Sequence, residues 1–270
     1  MVEEIAEGSW ILLYIDRKRR KILRADSKAK YSSDKGIIDL GGLIGSPYGV
    51  RVTTSIGAKA YIYKPTTCDL VYSVFSRPSQ VIYPKDAGYA ILMLDISPGK
   101  KILEIGVGSG VMTALMANLV RPEGRVYAYE IREDMARVAL ENLRRIGMDK
   151  YVELKIRDAT HGVDEKDLDA AFIDIGDPWR VVDTVYNALK PGSPAAFFTP
   201  TFNQLLKLYT VLTEHTGWGY IECVEILERP IELKENAVRP SSRMIAHTGF
   251  IVTAKKHLKD SSDKSIGDWR

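Results

Sequence analysis

The chain has 270 residues, 45% of them hydrophobic, and a formal net charge of +3, so it can bury a sizeable core as one large domain or two. No apolar run approaches the ~20 residues that span a bilayer, and no charged-then-apolar leader opens the chain, so a cytoplasmic protein without a membrane partner is expected. Two cysteines, Cys68 and Cys223, exclude a disulfide framework and lack metal-ligand spacing, so no metal is expected either.

Residues 1–75 carry short β-rich pieces, at 10–15, 21–25 and 60–63, separated by glycine and charged turns, which predicts a small β domain. Residues 1–80 hold 13 basic and 8 acidic side chains, a net of +5, whereas the remainder holds 25 and 27, a net of −2. The densest cluster, Arg17, Lys18, Arg19, Arg20 and Lys21, reads as a hairpin tip that is either a solvated turn or a phosphate-contacting patch. Near-neutral overall charge excludes little, because a local basic patch suffices for nucleic acid.

The linking segment offers Asp69, Leu70, Val71, Val74 and Phe75 as a short helix, followed by Gln80-Val-Ile-Tyr-Pro-Lys-Asp-Ala-Gly88. Pro84 suits the first position of a helix carrying Ile91, Leu92 and Leu94, since its missing N–H has no partner there. Tyr83 then stands at a loop–helix junction, either as a packed aromatic or as part of a site.

From Lys101 the pattern is a buried strand, a glycine turn and a helix start: Ile102, Leu103 and Ile105, then Gly106-Val107-Gly108-Ser109-Gly110, then Met112, Leu115, Met116 and Leu119 at helical spacing. Such a turn lies where parallel α/β sheets bind ligands, and the following helix directs N–H groups at an anion. A dinucleotide fingerprint wants glycine at its sixth position, where this chain has Val111. Glu104 before the turn and the pattern E-x-G-x-G-S-G instead resemble motif I of S-adenosylmethionine-dependent methyltransferases.

Regular alternation follows: strands at 125–130, 151–156, 170–174 and 195–199, helices at 133–146, 179–190 and 203–215, and two final strands at 220–227 and 244–253. This predicts a doubly wound, mostly parallel α/β sheet over residues 76–256, with one antiparallel member from the terminal hairpin. Residues 257–270 are a polar tail whose composition predicts disorder. Carboxylates fall at strand ends. Glu130 lies roughly 20 residues past the turn, where an acid accepts hydrogen bonds from ribose hydroxyls. Asp158 follows the third strand, as a site residue or as a helix cap. Asp177 before Pro178 reads as an N-cap, which leaves Asp174, closing its strand over the glycine turn, without a capping role.

Four segments, residues 80–88, Glu104 to Gly110, Asp174-x-x-x-Pro-Trp179 and Arg239-Pro-x-x-Arg-Met-Ile-Ala-His-Thr-Gly-Phe250, together resemble the tRNA adenine-N1 methyltransferases, the TrmI family. The resemblance spans essentially the whole chain and implies a Rossmann-like, seven-stranded methyltransferase sheet with a small tRNA-contacting N-terminal β domain. It further implies methyl transfer from S-adenosyl-L-methionine to N1 of T-loop adenosine 58 of tRNA, in archaeal members also 57, by a homotetramer. Carried onto this chain, it implies cofactor contacts from Gln80, Gly106, Val107, Gly108, Ser109, Gly110, Glu130, Asp158, Ala159 and Asp174, with Asp174, Tyr83 and His247 at the reacting base. His247, a lone histidine in an apolar strand, is also open to the reading of a satisfied core residue. Gly176 departs from the family, where many members carry proline. A methyltransferase of other substrates, such as isoaspartyl protein, or a tRNA-binding subunit are the rival readings.

Overall fold

The computed structural model describes residues 2–78 and 80–259 and divides into two compact units, Met1–Phe75 and Ser76–Arg270. Residues 260–270, most of the predicted tail, lie outside the described residues.

In the first unit, strands β1 (Trp10–Asp16), β2 (Arg19–Arg24), β3 (Lys30–Ser33), β4 (Gly36–Asp39), β5 (Arg51–Thr53) and β6 (Lys59–Tyr63) precede helix α1 (Thr67–Ser73). An antiparallel sheet of order β2-β1-β6-β5 and the β3-β4 hairpin enclose a core built on Ile11, Leu13, Ile38, Leu43, Ala60 and Ile62. β3, β4 and β5 are too short and polar to have been foreseen. The basic cluster does form the β1–β2 turn and the start of β2. α1 opens with a reciprocal cap, Thr66 accepting from the Asp69 N–H while Asp69 accepts from that of Thr66.

The second unit begins with α2 (Pro84–Met93), which has Pro84 in its first turn as read from the sequence. Then come β7 (Lys101–Ile105), α3 (Val111–Val120), β8 (Arg125–Glu130), α4 (Glu133–Arg145), β9 (Val152–Ile156), β10 (Ala170–Ile173), α5 (Val182–Ala188), β11 (Pro194–Thr199), α6 (Phe202–Glu214) and β12 (Trp218–Glu225). A two-stranded arm, β13 (Ile231–Lys234) and β14 (Ala237–Pro240), precedes the last strand, β15 (Phe250–Lys256). The sheet has seven strands in the order β12-β15-β11-β10-β7-β8-β9, all parallel except β15. One face buries Leu103, Ile105, Ala171, Ile173 and Phe197 under Val182, Val185, Leu208 and Leu212 of α5 and α6. α3 and α4 lie against β7, β8 and β9, and α2 against β11 and β15.

The sequence reading needs two corrections here. The strand expected over 244–253 begins only at Phe250, because His247 and Thr248 are turned aside into side-chain contacts described below, and the β13–β14 arm was not anticipated. The helix expected over 179–190 is a 3-10 turn, Pro178–Val181, followed by the short α5.

Asn142 of α4, fully buried, joins the start of this unit to the glycine turn. Its amide donates to the carbonyls of Ser76 at 2.9 Å and Ser109 at 3.0 Å, and its oxygen accepts from the Ser76 N–H at 3.0 Å. Asn142→Ala strands the carbonyl of buried Ser109, at about 1 to 3 kcal/mol, and gives up the two bonds to exposed Ser76, so it is expected to lower the urea midpoint of the second unit. An unchanged midpoint by circular dichroism would show that the clasp contributes nothing.

Candidate functional site at the switch point of the sheet

The chain runs outward from β7 through β8 to β9 and then returns to β10 on the other side, so β7 and β10 flank the topological switch, where this architecture opens a crevice. Ile105 pairs with Ile173, which places Gly106 and Asp174 side by side just beyond the strand ends. Their approach is close: a Cβ on Gly106 would stand 2.1 Å from the Asp174 carbonyl oxygen and 2.7 Å from a methyl of Ile175. Gly106, at φ +88°, thus makes room for the β10 loop while also lining the crevice.

Glu130 defines the rest of the turn. One carboxylate oxygen accepts from the N–H groups of Val107 at 3.1 Å and Gly108 at 3.0 Å, and the other from Arg132 at 3.0 Å. Two N–H groups expected to face a ligand are therefore held by the protein itself. The start of α3 has no side-chain cap, and Val111 and Met112 of its first turn line the adjoining cavity, so N–H groups of that turn remain for an anion.

That cavity, of about 350 Å³, is lined by Gln80, Gly106 to Ser109, Glu130, Phe172 and Asp174 among others. A second, of about 190 Å³, continues past Gly106, Glu130 and Ile175 to Asp158, Ala159, Asp177 and Arg180. Gly110, Tyr83 and His247 line neither. Gly110 instead packs at φ +82° against Ala139 of α4, and the Tyr83 carbonyl starts α2 by accepting from the Asp86 and Ala87 N–H groups. Asp158 is an N-cap, its carboxylate accepting from the Thr160 N–H at 2.9 Å, and the Thr160 side chain first, then that N–H, holds its pKa below the ordinary aspartate value. Asp158 thus caps the 3-10 turn Ala159–His161 and also lines the second cavity. Asp177 occupies the position before Pro178, but its side chain caps nothing, which corrects the sequence reading: at φ −123° and ψ 63° its backbone enters a 3-10 turn, not an α-helix.

The Asp174 carboxylate has no hydrogen-bond partner among the described residues. It opens to solvent at the cavity mouth yet is hemmed in by the walls, and this desolvation raises its pKa from 3.8 to about 6, an effect that entering water offsets in part. Beneath the turn, Glu104 is fully buried, and neither of its oxygens, nor the Ser109 and Thr113 hydroxyls, has a partner among the described residues. Burial raises its pKa to about 8 against the nearby Thr113 hydroxyl, which lowers it without making a hydrogen bond of good geometry, and the charges of Asp174 and Glu130 add smaller contributions. Three carboxyl groups thus converge on the turn. Arg132 lines the same cavity, and the Asp174 carboxylate, without a partner among the described residues, is the group left for a cation to meet.

His247 is neither in the core nor in a strand. Its ring is half exposed, with Nδ1 2.6 Å from the Glu225 carboxylate and Nε2 2.8 Å from the Pro200 carbonyl; the Glu225 bond first, then that of Pro200, raises its pKa above the ordinary histidine value. The next residue closes a network that sequence reasoning missed. Lys85 Nζ donates to Asp86 at 2.8 Å and to the Thr248 hydroxyl at 2.6 Å, and that hydroxyl donates to the other Asp86 oxygen at 2.7 Å. Lys85 and Asp86 side chains are 7% and 0% exposed, so this is a buried, satisfied ion pair. Both segments were singled out in the sequence, but nothing local shows that they meet.

A family model described as the tRNA methyltransferase complex GCD14 subunit matches residues 59–264. The chain is 33% identical to the tRNA (adenine(57)-N(1)/adenine(58)-N(1))-methyltransferase TrmI of Methanocaldococcus jannaschii, over 90% of this chain and 94% of that one. Among solved structures it is similar to a SAM-dependent O-methyltransferase of Thermotoga maritima, with 36% identity, 95% and 96% coverage and a TM-score of 0.87. It is likewise similar to the tRNA (m1A58) methyltransferase TrmI of Aquifex aeolicus, with 30% identity, 95% and 100% coverage and a TM-score of 0.82.

A Glu104 carboxyl raised in the folded state binds its proton more tightly there than in the unfolded chain. Its contribution to stability is complete below about pH 4.5 and is lost as pH rises to about 8. Glu104→Gln removes that loss, so the variant is expected to gain on the parent by a few kcal/mol between these limits, at ~1.4 kcal/mol per pKa unit. Parallel stability curves against pH for the two proteins would refute this.

Proposed function

The chain belongs to the family described as the tRNA methyltransferase complex GCD14 subunit, and from that membership we propose that it transfers a methyl group from S-adenosylmethionine to N1 of adenosine 58 of tRNA. Relatives in Methanocaldococcus jannaschii and Aquifex aeolicus carry that position in their names, the first together with 57, so 57 is a further candidate here. A cytoplasmic homotetramer is the assembly we propose.

The observation that carries the reading is Asp174: an unpartnered carboxylate, anchored by its own backbone on Gly106, at the mouth of a cavity that favours a cation. The Glu130 and Asp174 side chains on the wall of the first cavity suit the sulfonium and ammonium groups of S-adenosylmethionine. The free N–H groups of α3 suit its carboxylate, and the second cavity with Asp158 and Ala159 suits its adenosine end. Bound there, the cofactor supplies an electrophilic methyl group on a positively charged sulfur.

What remains for the protein is orientation and charge. Adenine N1 is a lone-pair nucleophile and loses no proton as it reacts, unlike the hydroxyl acceptor of an O-methyltransferase. Asp174 accepts a hydrogen bond from the exocyclic amine, turns N1 toward the methyl group, and balances the positive charge that appears on the base. Gln80, in the wall of the first cavity, would contact the cofactor, and Tyr83 and His247, outside both cavities, would act on the base from the approach to the site. The basic N-terminal unit would contact the tRNA.

Asp174→Asn is expected to retain cofactor and tRNA affinity while single-turnover methylation falls ~100-fold or more, the cost of one lost preorganised contact. Because the carboxylate acts ionised, the parent rate should rise with pH through about 6, and the variant's residual rate should not. Asp177→Asn, whose side chain caps nothing, should stay active. An active Asp174→Asn beside a dead Asp177→Asn would mean that the wrong aspartate has been named.

A further inference from the structure

The sheet of the N-terminal unit has a face that its core does not use. Alternation turns Ile11, Leu13, Ala60 and Ile62 inward, and the cross-strand pairs Tyr14 with Arg20, Tyr14 with Tyr61, Tyr61 with Arg51 and Thr53 with Lys59 collect on the other side. Tyr61 and Tyr63 lie 6.2 Å apart with nearly parallel rings, 12° between planes, and Tyr14 adjoins Tyr63 at 6.4 Å. The Tyr63 side of this strip is open, at 41% exposure. Arg20, Arg51 and Lys59 are exposed and make no salt bridge among the described residues. Asp16 is the single acidic residue in the four strands, and its carboxylate is already bound by Arg19.

Aromatic rings with cations around them and no free carboxylate match one chemistry above others: a strand of unpaired nucleotides, whose bases stack on the rings while its phosphates meet the cations. A second copy of this chain is a poor occupant, since a two-fold contact would set Arg20, Arg51 and Lys59 against their own kind. We infer that the outer face of the β2-β1-β6-β5 sheet is a stacking platform for unpaired bases of the tRNA, distinct in mode from a phosphate-only contact at the Arg17–Lys21 turn. Arg19 is withdrawn from that turn by its bonds to Asp16 and Asp34. The inference rests on the proposed tRNA substrate.

The test compares the parent with Tyr61→Ala/Tyr63→Ala and Tyr61→Phe/Tyr63→Phe, using unmodified tRNA transcript. Stacking predicts that the alanine pair weakens tRNA binding about tenfold or more while the phenylalanine pair stays within about twofold, with cofactor affinity and the rate at saturating tRNA unchanged. Crosslinking of 4-thiouridine-substituted tRNA to the parent should label peptides that contain Tyr14, Tyr61 or Tyr63, and this arm stands even if the alanine pair misfolds. Equal tRNA affinity in a folded alanine pair, or labelling confined to other peptides, overturns the inference, as does a change of molecular mass on substitution, which would make the face a contact between copies. Parent protein that methylates tRNA normally in any of those outcomes leaves the proposed function standing; parent protein inert on tRNA defeats that function first.

Discussion

Everything at the site is registered to the grip of Glu130 on the backbone of the glycine turn. One carboxylate oxygen at the end of β8 accepts from two consecutive N–H groups just beyond β7, so the loops of neighbouring parallel strands are fastened where the sheet itself stops. Two further constraints finish the turn: Gly106 yields its side-chain space to the Asp174 carbonyl, and Ser109 gives its carbonyl to Asn142. Four successive residues are thereby fixed from three elements, β8, β10 and α4. A turn held this way presents its remaining donors and the Asp174 carboxylate in a set geometry, without waiting for a ligand to arrange them.

The price is electrostatic. Glu104, Glu130 and Asp174 crowd one turn, and the cation of this unit's buried network, Lys85, is committed to Asp86 and Thr248. The two arrangements differ in kind. At Lys85 the protein satisfies its own charge and gains a fixed joint between α2 and the approach to β15; beneath the turn it leaves carboxyl groups with raised pKa values and no internal cation. Above about pH 6 the Asp174 carboxylate draws a positively charged ligand into the crevice, whereas Glu104, with its pKa raised to about 8, keeps its proton at neutral pH and adds no charge.

Much of this was legible beforehand, for identifiable reasons. The apolar runs of β7, β10 and β11 and the amphipathic α4 and α6 follow hydrophobic periodicity, and Pro84 placed the start of α2. Asp174 stood out because no local rule accounted for it. Other features had no local signal. That Gly106 yields its side-chain space to the Asp174 carbonyl depends on the pairing of β7 with β10, which are far apart in the chain, and the Lys85–Asp86–Thr248 network joins residues separated by 163 positions. His247 read as a strand residue because its neighbours are apolar; Met244 and Ile245 prove to be exposed, on a segment bent away from the sheet. Asp177 misled through a sound rule, since an Asp-Pro pair fits an α-helical start and here begins a 3-10 turn.

The arm between β12 and β15 is closed at its neck. Glu225, the last residue of β12, is in register with Phe250, the first of β15, and is also bonded to His247, so the excursion leaves and re-enters the sheet at one point. Its β13–β14 hairpin exposes Ile231 and Val238 and lends no side chain to the buried core of the sheet. Such an insertion is modular. Doubling the length of a loop whose ends are already joined costs only about 0.6 kcal/mol, so this arm can be lengthened, shortened or recut while the catalytic crevice stays as it is. The fold thereby keeps one segment free to vary with whatever surface it meets, and the His247–Glu225 clasp is the boundary between that freedom and the rigid sheet.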